Sequence, residues 1–153
     1  TTTSMSFTPS TSRLMPAKKK VISADIIESI FDWSRGQTYT IQLICNYLYA
    51  QCQTVKKSDF HRVRADILAQ QQAIFANFPK MLTKTQWKVF QAIAKEEPLQ
   101  NPLSKEFSNK YQLGAASTVN TAIKSLQKQE LVIEDEGIYL VHEVLLARWM
   151  ARI

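Results

Sequence analysis

Between residues 117 and 128 the sequence sets out six polar side chains, Ser117, Thr118, Asn120, Thr121, Lys124 and Lys128, around the apolar positions Val119, Ala122, Ile123 and Leu126. Together these types do one kind of chemistry. Asparagine can pair with adenine, serine and threonine bond bases or phosphate oxygens, and lysine reaches phosphate or guanine. A helix that buries the apolar set turns the polar set outward, which is how a helix enters the major groove, N-terminal residues first. Lys105 and Lys110, on the helical stretch just before, add two further cations able to meet phosphate. Two features oppose that reading. No arginine lies between Arg64 and Arg148, so the commonest specific base contact, arginine to guanine, is absent. Glu130, Glu134, Asp135 and Glu136 follow directly, and carboxylates repel phosphate. DNA contact is therefore expected to be weak, with packing against protein as the competing use.

Other chemistries find little to work with. The three glycines, Gly36, Gly114 and Gly137, cannot form the GxxxxGK loop that cradles a triphosphate. His61 and His142 have no HxxxH or HxH partner, and Cys45 and Cys52, seven apart, make no CxxC pair. The cysteines read as buried thiols in a reducing compartment, so a cytoplasmic location is expected. No metal, no cofactor and no enzyme activity are expected of this chain, because no paired carboxylates or nucleophile–base set appears. No apolar run approaches the roughly 18 residues needed to span a bilayer. The net charge of +6 permits nucleic-acid contact, yet it is uneven: residues 1–79 carry nine basic and five acidic residues, residues 80–153 ten and eight. The half with the polar helix is the less basic half.

The elements that must position that helix can be traced along the chain. Residues 1–20, rich in Ser, Thr and Pro and ending in Lys18–Lys20, read as an extended or flexible lead-in. Residues 21–79 read as about three helices. Ser23 is an N-cap candidate before Ile26, Ile27, Ile30 and Phe31, and Gly36 a left-handed stop. Ile41, Ile44, Tyr47 and Leu48 then mark a helix over about 39–52, and Phe60, Val63, Ile67 and Ile74 mark a third. Pro79 signals a boundary. Beyond it, Thr83 and Gln86 fit a capping box with Leu82 and Trp87 as its hydrophobic staple, starting a helix that buries Trp87, Phe90, Ile93 and Ala94. Ser104 caps a short helix burying Phe107 and Tyr111, Leu113–Gly114 turns the chain, and the polar helix spans about 116–129. LVIE and IYLV pair across Asp135-Glu136-Gly137, and a last helix carries Leu145, Leu146 and Trp149. Helix, helix, helix, hairpin, helix is the order of a winged helix-turn-helix domain, here over 80–153. The fold class is thus mainly α, a helical segment followed by a winged helix with a small β-hairpin.

The same stretches carry a family resemblance. ISADIIESIFDWSRGQTYTIQLICNYL, LTKTQWKVFQAIAKE, LSKEFSNKYQLGAASTVNTAIKSLQKQELV and GIYLVHEVLLARWM resemble, in order, the C-terminal region of prokaryotic AAA+/STAND P-loop ATPases of the archaeal ATPase family. The resemblance covers residues 20–153. Gly36, Tyr39, Gln42 and Leu43 match the family's lid-helix start, and Tyr139, Val141, Leu146 and Trp149 match its ending, with His142-Glu143 where the usual pair is Asp-Pro. It implies that residues 21–79 are lid-like, that a core binding ATP and Mg precedes Thr1, and that this chain is a non-catalytic regulatory or interaction fragment. Arg35 is implied as a nucleotide-sensing arginine; a helix-end charge favoured by the dipole is the other reading of it. The implied partners are the chain's own upstream ATPase core or another protein, with DNA bound weakly. The alternative is a free-standing winged-helix DNA-binding transcription regulator whose N-terminal helices dimerise or sense a ligand.

Overall fold

The computed structural model describes residues 4–7 and 20–152. The chain divides into two compact units, Thr1–Gln70 and Gln71–Ile153.

In the first unit, strand β1 (Ser4–Phe7) pairs antiparallel with β2 (Lys20–Ser23), Ser4 opposite Ser23 and Phe7 opposite Lys20. Residues 4–7, expected within a lead-in, are therefore strand; the rest of that lead-in, with Lys18 and Lys19, lies outside the described residues. Lys20 is held by Tyr49. Its ammonium sits 4.1 Å over the Tyr49 ring and donates to the Tyr49 carbonyl. Val21 is also held by residues 53–55, through Val21 N–H to the Gln53 carbonyl (3.2 Å) and Val55 N–H to the Val21 carbonyl (3.0 Å). Helix α1 (Ala24–Ser34) follows directly from extended Ser23, whose hydroxyl makes no cap bond although Ser23 was expected to cap. The helix buries Ile26, Ile30 and Ser34, an i, i+4, i+8 ridge narrower than the expected face; Phe31 is left 52% exposed. Arg35 and Gly36 are both left-handed (φ 52° and 70°), so the helix is closed one residue earlier than glycine alone required. Helix α2 (Thr38–Gln51) buries Thr40, Ile44 and Leu48. Cys45 and Cys52 are free thiols, and burial pushes both above the usual cysteine range. Helix α3 (Lys57–Phe75) buries Phe60, Val63, Ile67 and Leu68. Ile74, expected in that stripe, is exposed, and Phe75 is buried in its place against Trp149 of the second unit, to which both belong (centroids 5.7 Å).

The second unit begins with the end of α3. Pro79 falls in the first turn of the short helix α4 (Phe78–Met81), where its missing N–H costs nothing. Helix α5 (Lys84–Glu96) opens on the expected capping box: Gln86 N–H donates to Thr83 Oγ1 and Thr83 N–H to Gln86 Oε1, each at 3.1 Å. Its buried residues, Val89, Phe90, Ala92, Ile93 and Ala94, make it the central helix. Ser104 caps α6 (Lys105–Tyr111) by accepting from Phe107 N–H at 3.2 Å. Helix α7 (Ala116–Lys128) buries Val119, Ala122, Ile123 and Leu126, as its spacing requires. Strands β3 (Val132–Asp135) and β4 (Ile138–Val141) pair antiparallel. The expected three-residue turn shortens to Glu136-Gly137, because Asp135 already pairs with Ile138; both turn residues have positive φ, as a two-residue hairpin of this hand demands. A single bridge from Leu99 to Tyr139 flanks β4 on its other side. Helix α8 (Val144–Ala151) is capped by Glu143, whose carboxylate accepts from Leu145 and Leu146 N–H at 3.2 and 2.7 Å. Trp149 of α8 packs beside Trp87 and Phe75 and donates from Nε1 to Gln72 Oε1 at 2.7 Å. The architecture is mainly helical, three helices, a hairpin and a closing helix around α5 (Lys84–Glu96).

Candidate nucleic-acid interface

The four apolar residues of α7 turn one face to the core and leave the opposite face open. Ser117, Thr121, Lys124 and Lys128 stand at i, i+4, i+7 and i+11, one line along the outer face, and all four are exposed. Thr118 is exposed on the flank toward the start of α5, whereas Asn120 is half-buried on the other flank. Adenine pairing through Asn120 would have to be made by a partly covered amide. Thr121 Oγ1 donates to the Ser117 carbonyl at 2.9 Å, so part of its bonding capacity is spent within the helix. The N-cap position is Ala115, with no side-chain acceptor, and the first turn holds no acid. The positive end of the helix macrodipole therefore faces outward without local compensation.

The start of α5 lies beside this helix. Gln86 Nε2 donates to Ser125 Oγ at 2.9 Å, tying the capping box of α5 to α7. Above that bond lies an open cleft of about 380 Å³ lined by Thr83, Thr85, Gln86, Ser117, Thr118 and Thr121. The sequence showed the α7 hydroxyls; Thr83 and Thr85 join them only through packing, 32 or more positions apart in the chain.

The lysines divide. Lys105 is exposed on α6. Lys110 bonds the Glu96 carboxylate, which also accepts from Tyr111 Oη at 2.7 Å. The Lys110 bond holds Glu96 below the usual carboxylate range and raises Lys110 above the usual lysine range; burial raises Tyr111. Lys110 was expected to help meet phosphate, and its charge is instead matched by Glu96. The hairpin is uniform in sign: Glu134, Asp135 and Glu136 are exposed, and residues 132–141 include no lysine or arginine. Desolvation first, then Glu134, raises the Tyr139 phenol. Glu130, at positive φ (60°) after α7, is exposed as well.

Arg35, the residue implied as a sensor, lies in the first unit, half-buried in the left-handed position that ends α1. At each of the three glycines the space a Cβ would occupy is open, and each has a positive φ. These residues do not form a phosphate cradle. Among the described residues there is no cluster of three His, Cys, Asp or Glu suited to a metal, and no helix long and apolar enough to cross a membrane.

A family model described as a probable winged helix domain matches residues 73–152. No curated protein and no solved structure matches the chain.

Proposed function

We infer the function from one premise: the chain belongs to the probable winged helix domain family. A winged helix is a module for holding DNA or protein, and its third helix is the one offered to a groove. We propose that α7 makes weak, sequence-independent contact with nucleic-acid backbone, while the rest of the unit packs against protein. One observation carries this: the line Ser117, Thr121, Lys124 and Lys128 is exposed, and among the described residues no ion pair engages either lysine. Lys105 on α6 adds a third exposed cation to Lys124 and Lys128, whereas Lys110 is matched by Glu96. At about 0.9 per phosphate, three contacts give a log–log salt slope of roughly −2 to −3. That supplies modest affinity and no base selection. The test is fluorescence anisotropy at low salt with two duplexes of unrelated sequence. Equal, weak affinities are expected, with Asn120→Ala changing neither; a strong preference for one duplex that Asn120→Ala removes would overturn the reading.

The wider proposal is that this is the non-catalytic C-terminal region of an AAA+/STAND-type P-loop ATPase, with lid-like helices before the winged helix. Its support is the pattern Gly36, Tyr39, Gln42, Leu43 and the ending Tyr139, Val141, Leu146, Trp149. ATP and Mg would belong to a core elsewhere in the intact protein, and Arg35 would serve as its sensing arginine. Two free thiols fit a reducing cytoplasm. Isothermal titration with Mg-ATP checks the division of labour: no micromolar binding by this chain is expected, and such binding would contradict it.

A further inference from the structure

The hairpin that is poorly suited to phosphate has an open edge, and the hydrogen-bond phase identifies it. Tyr139 N–H donates to the Leu99 carbonyl at 2.8 Å, so the Tyr139 backbone points away from β3. Its cross-strand partner Glu134 must then point its own N–H and carbonyl away from β4, and so must Val132 two residues earlier. His142 N–H bonding the Leu131 carbonyl at 2.9 Å fixes the same phase from the other end. Among the described residues no strand lies on that side of β3. Of the devices that blunt such edges, β3 has short length and two acids, Glu134 and Asp135, but no lysine, proline or bulge, so its charge opposes a like-signed strand and leaves the backbone open to an oppositely charged one.

The side chains around the edge specify what fits it. Ile133, 37% exposed, shares the outer face with Leu140 and Ile138. On the other face Pro102, Leu103, Glu134 and Tyr139 line a cleft of about 510 Å³, and Leu103 is 47% exposed. Asp135 and Glu136 complete a single-signed tip. A second copy of β3 would bring like charges together along one ribbon, which is costly. An oppositely charged strand gains where the copy loses.

We propose that the β3 edge receives an extended basic segment of a protein partner, added antiparallel as a third strand of the hairpin. Residues of that segment opposite Asp135, Glu134, Ile133 and Val132 run, in its own direction, Lys-Lys-Val-Val or the like. The residues opposite Glu134 and Val132 exchange backbone bonds with the edge; the other two face away. The inference is independent of nucleic-acid contact by α7.

The probe is a blocked, fluorescein-labelled peptide with the central run Lys-Lys-Val-Val, titrated into the full chain. Saturable binding is expected, with slower amide exchange at Val132 and Glu134. N-methylation of the second lysine and second valine should abolish binding, while N-methylation of the first of each should not. Glu134→Lys with Asp135→Lys should weaken binding by at least about tenfold, as like charges replace attraction. If that variant unfolds, Glu134→Gln with Asp135→Asn serves. Lys124→Ala with Lys128→Ala should change nothing, so failure here and failure of the α7 reading are separable. The proposal falls if the peptide does not bind, or if either N-methylated peptide binds like the parent. Equal binding of a peptide with lysines and valines interleaved would likewise reduce it to bulk electrostatics. Sedimentation showing dimers that Ile133→Lys dissolves would make a second copy the occupant instead.

Discussion

Helix α7 and the β3–β4 hairpin leave the same core with opposite characters. The helix buries four residues and turns out hydroxyls and two lysines; the hairpin buries Val132 and Val141 and turns out three acids beside exposed Ile133. In a winged helix that binds a duplex on both surfaces, helix and wing need the same positive sign, because phosphate lies under each. Here they cannot share one anionic ligand. The fold fixes where the two surfaces stand, and side-chain charge gives them opposite signs.

The contrast can be broken at its common support. Phe90 is fully buried in α5, which packs against α7, β4 and α8. Phe90→Ala should cost about 3–5 kcal/mol and melt both surfaces together. A thermal scan in which the two differ in midpoint would show that they do not rest on one core. A smaller and more local effect is expected from Glu143, whose carboxylate caps α8 directly after β4. Glu143→Ala should cost about 1 kcal/mol. In native-state hydrogen exchange it should loosen Leu145 and Leu146 and leave α7 protected; equal loosening of α7 would contradict the local role.

The lysines sharpen the contrast further. Asp135→Lys with Glu136→Lys should tighten duplex binding at low salt if the wing faces the backbone, and loss of affinity would show that the acids assist rather than oppose. The smallest effect concerns Glu96. Its pKa is lowered by the Lys110 bond, so its contribution is complete above the unfolded value, near 4.5, and is lost as pH falls through the lower folded value. Glu96→Gln should therefore reduce stability slightly at neutral pH, with the difference from wild type closing below about pH 4.5. Lys110 is exposed and Glu96 only half-buried, so solvent screening keeps the effect small. A difference that widens in acid would refute the assignment.

Much of the second unit was legible in the sequence because its signals are local. The Thr83–Gln86 capping box, the Ser104 cap, the four-residue apolar stripe of α7 and the hairpin around Gly137 each span a few residues and occur as expected. What escaped depends on contacts distant in sequence. Strand β1 is defined by pairing with residues 13 or more positions away, and four residues provide too short an alternation to show it. Lys110 looked available until packing set Glu96 beside it. Ile74 continues the α3 stripe by period alone, but the partner changes along the helix and Phe75 meets Trp149. Glu143 was seen only as a departure from Asp-Pro, although a carboxylate just before a helix is itself a capping signal. The outer line of α7 was legible by type; that Asn120 is half-covered was not.

The most direct test of the division between the two surfaces is the salt dependence of duplex binding in wild type and in Lys124→Ala with Lys128→Ala. Anisotropy over several salt concentrations should give a wild-type log–log slope of roughly −2 to −3, flattened by about 2 in the variant. Tight, sequence-selective binding at physiological salt, with a slope the variant leaves unchanged, would show that nucleic acid is held elsewhere and that α7 is not the surface that meets it.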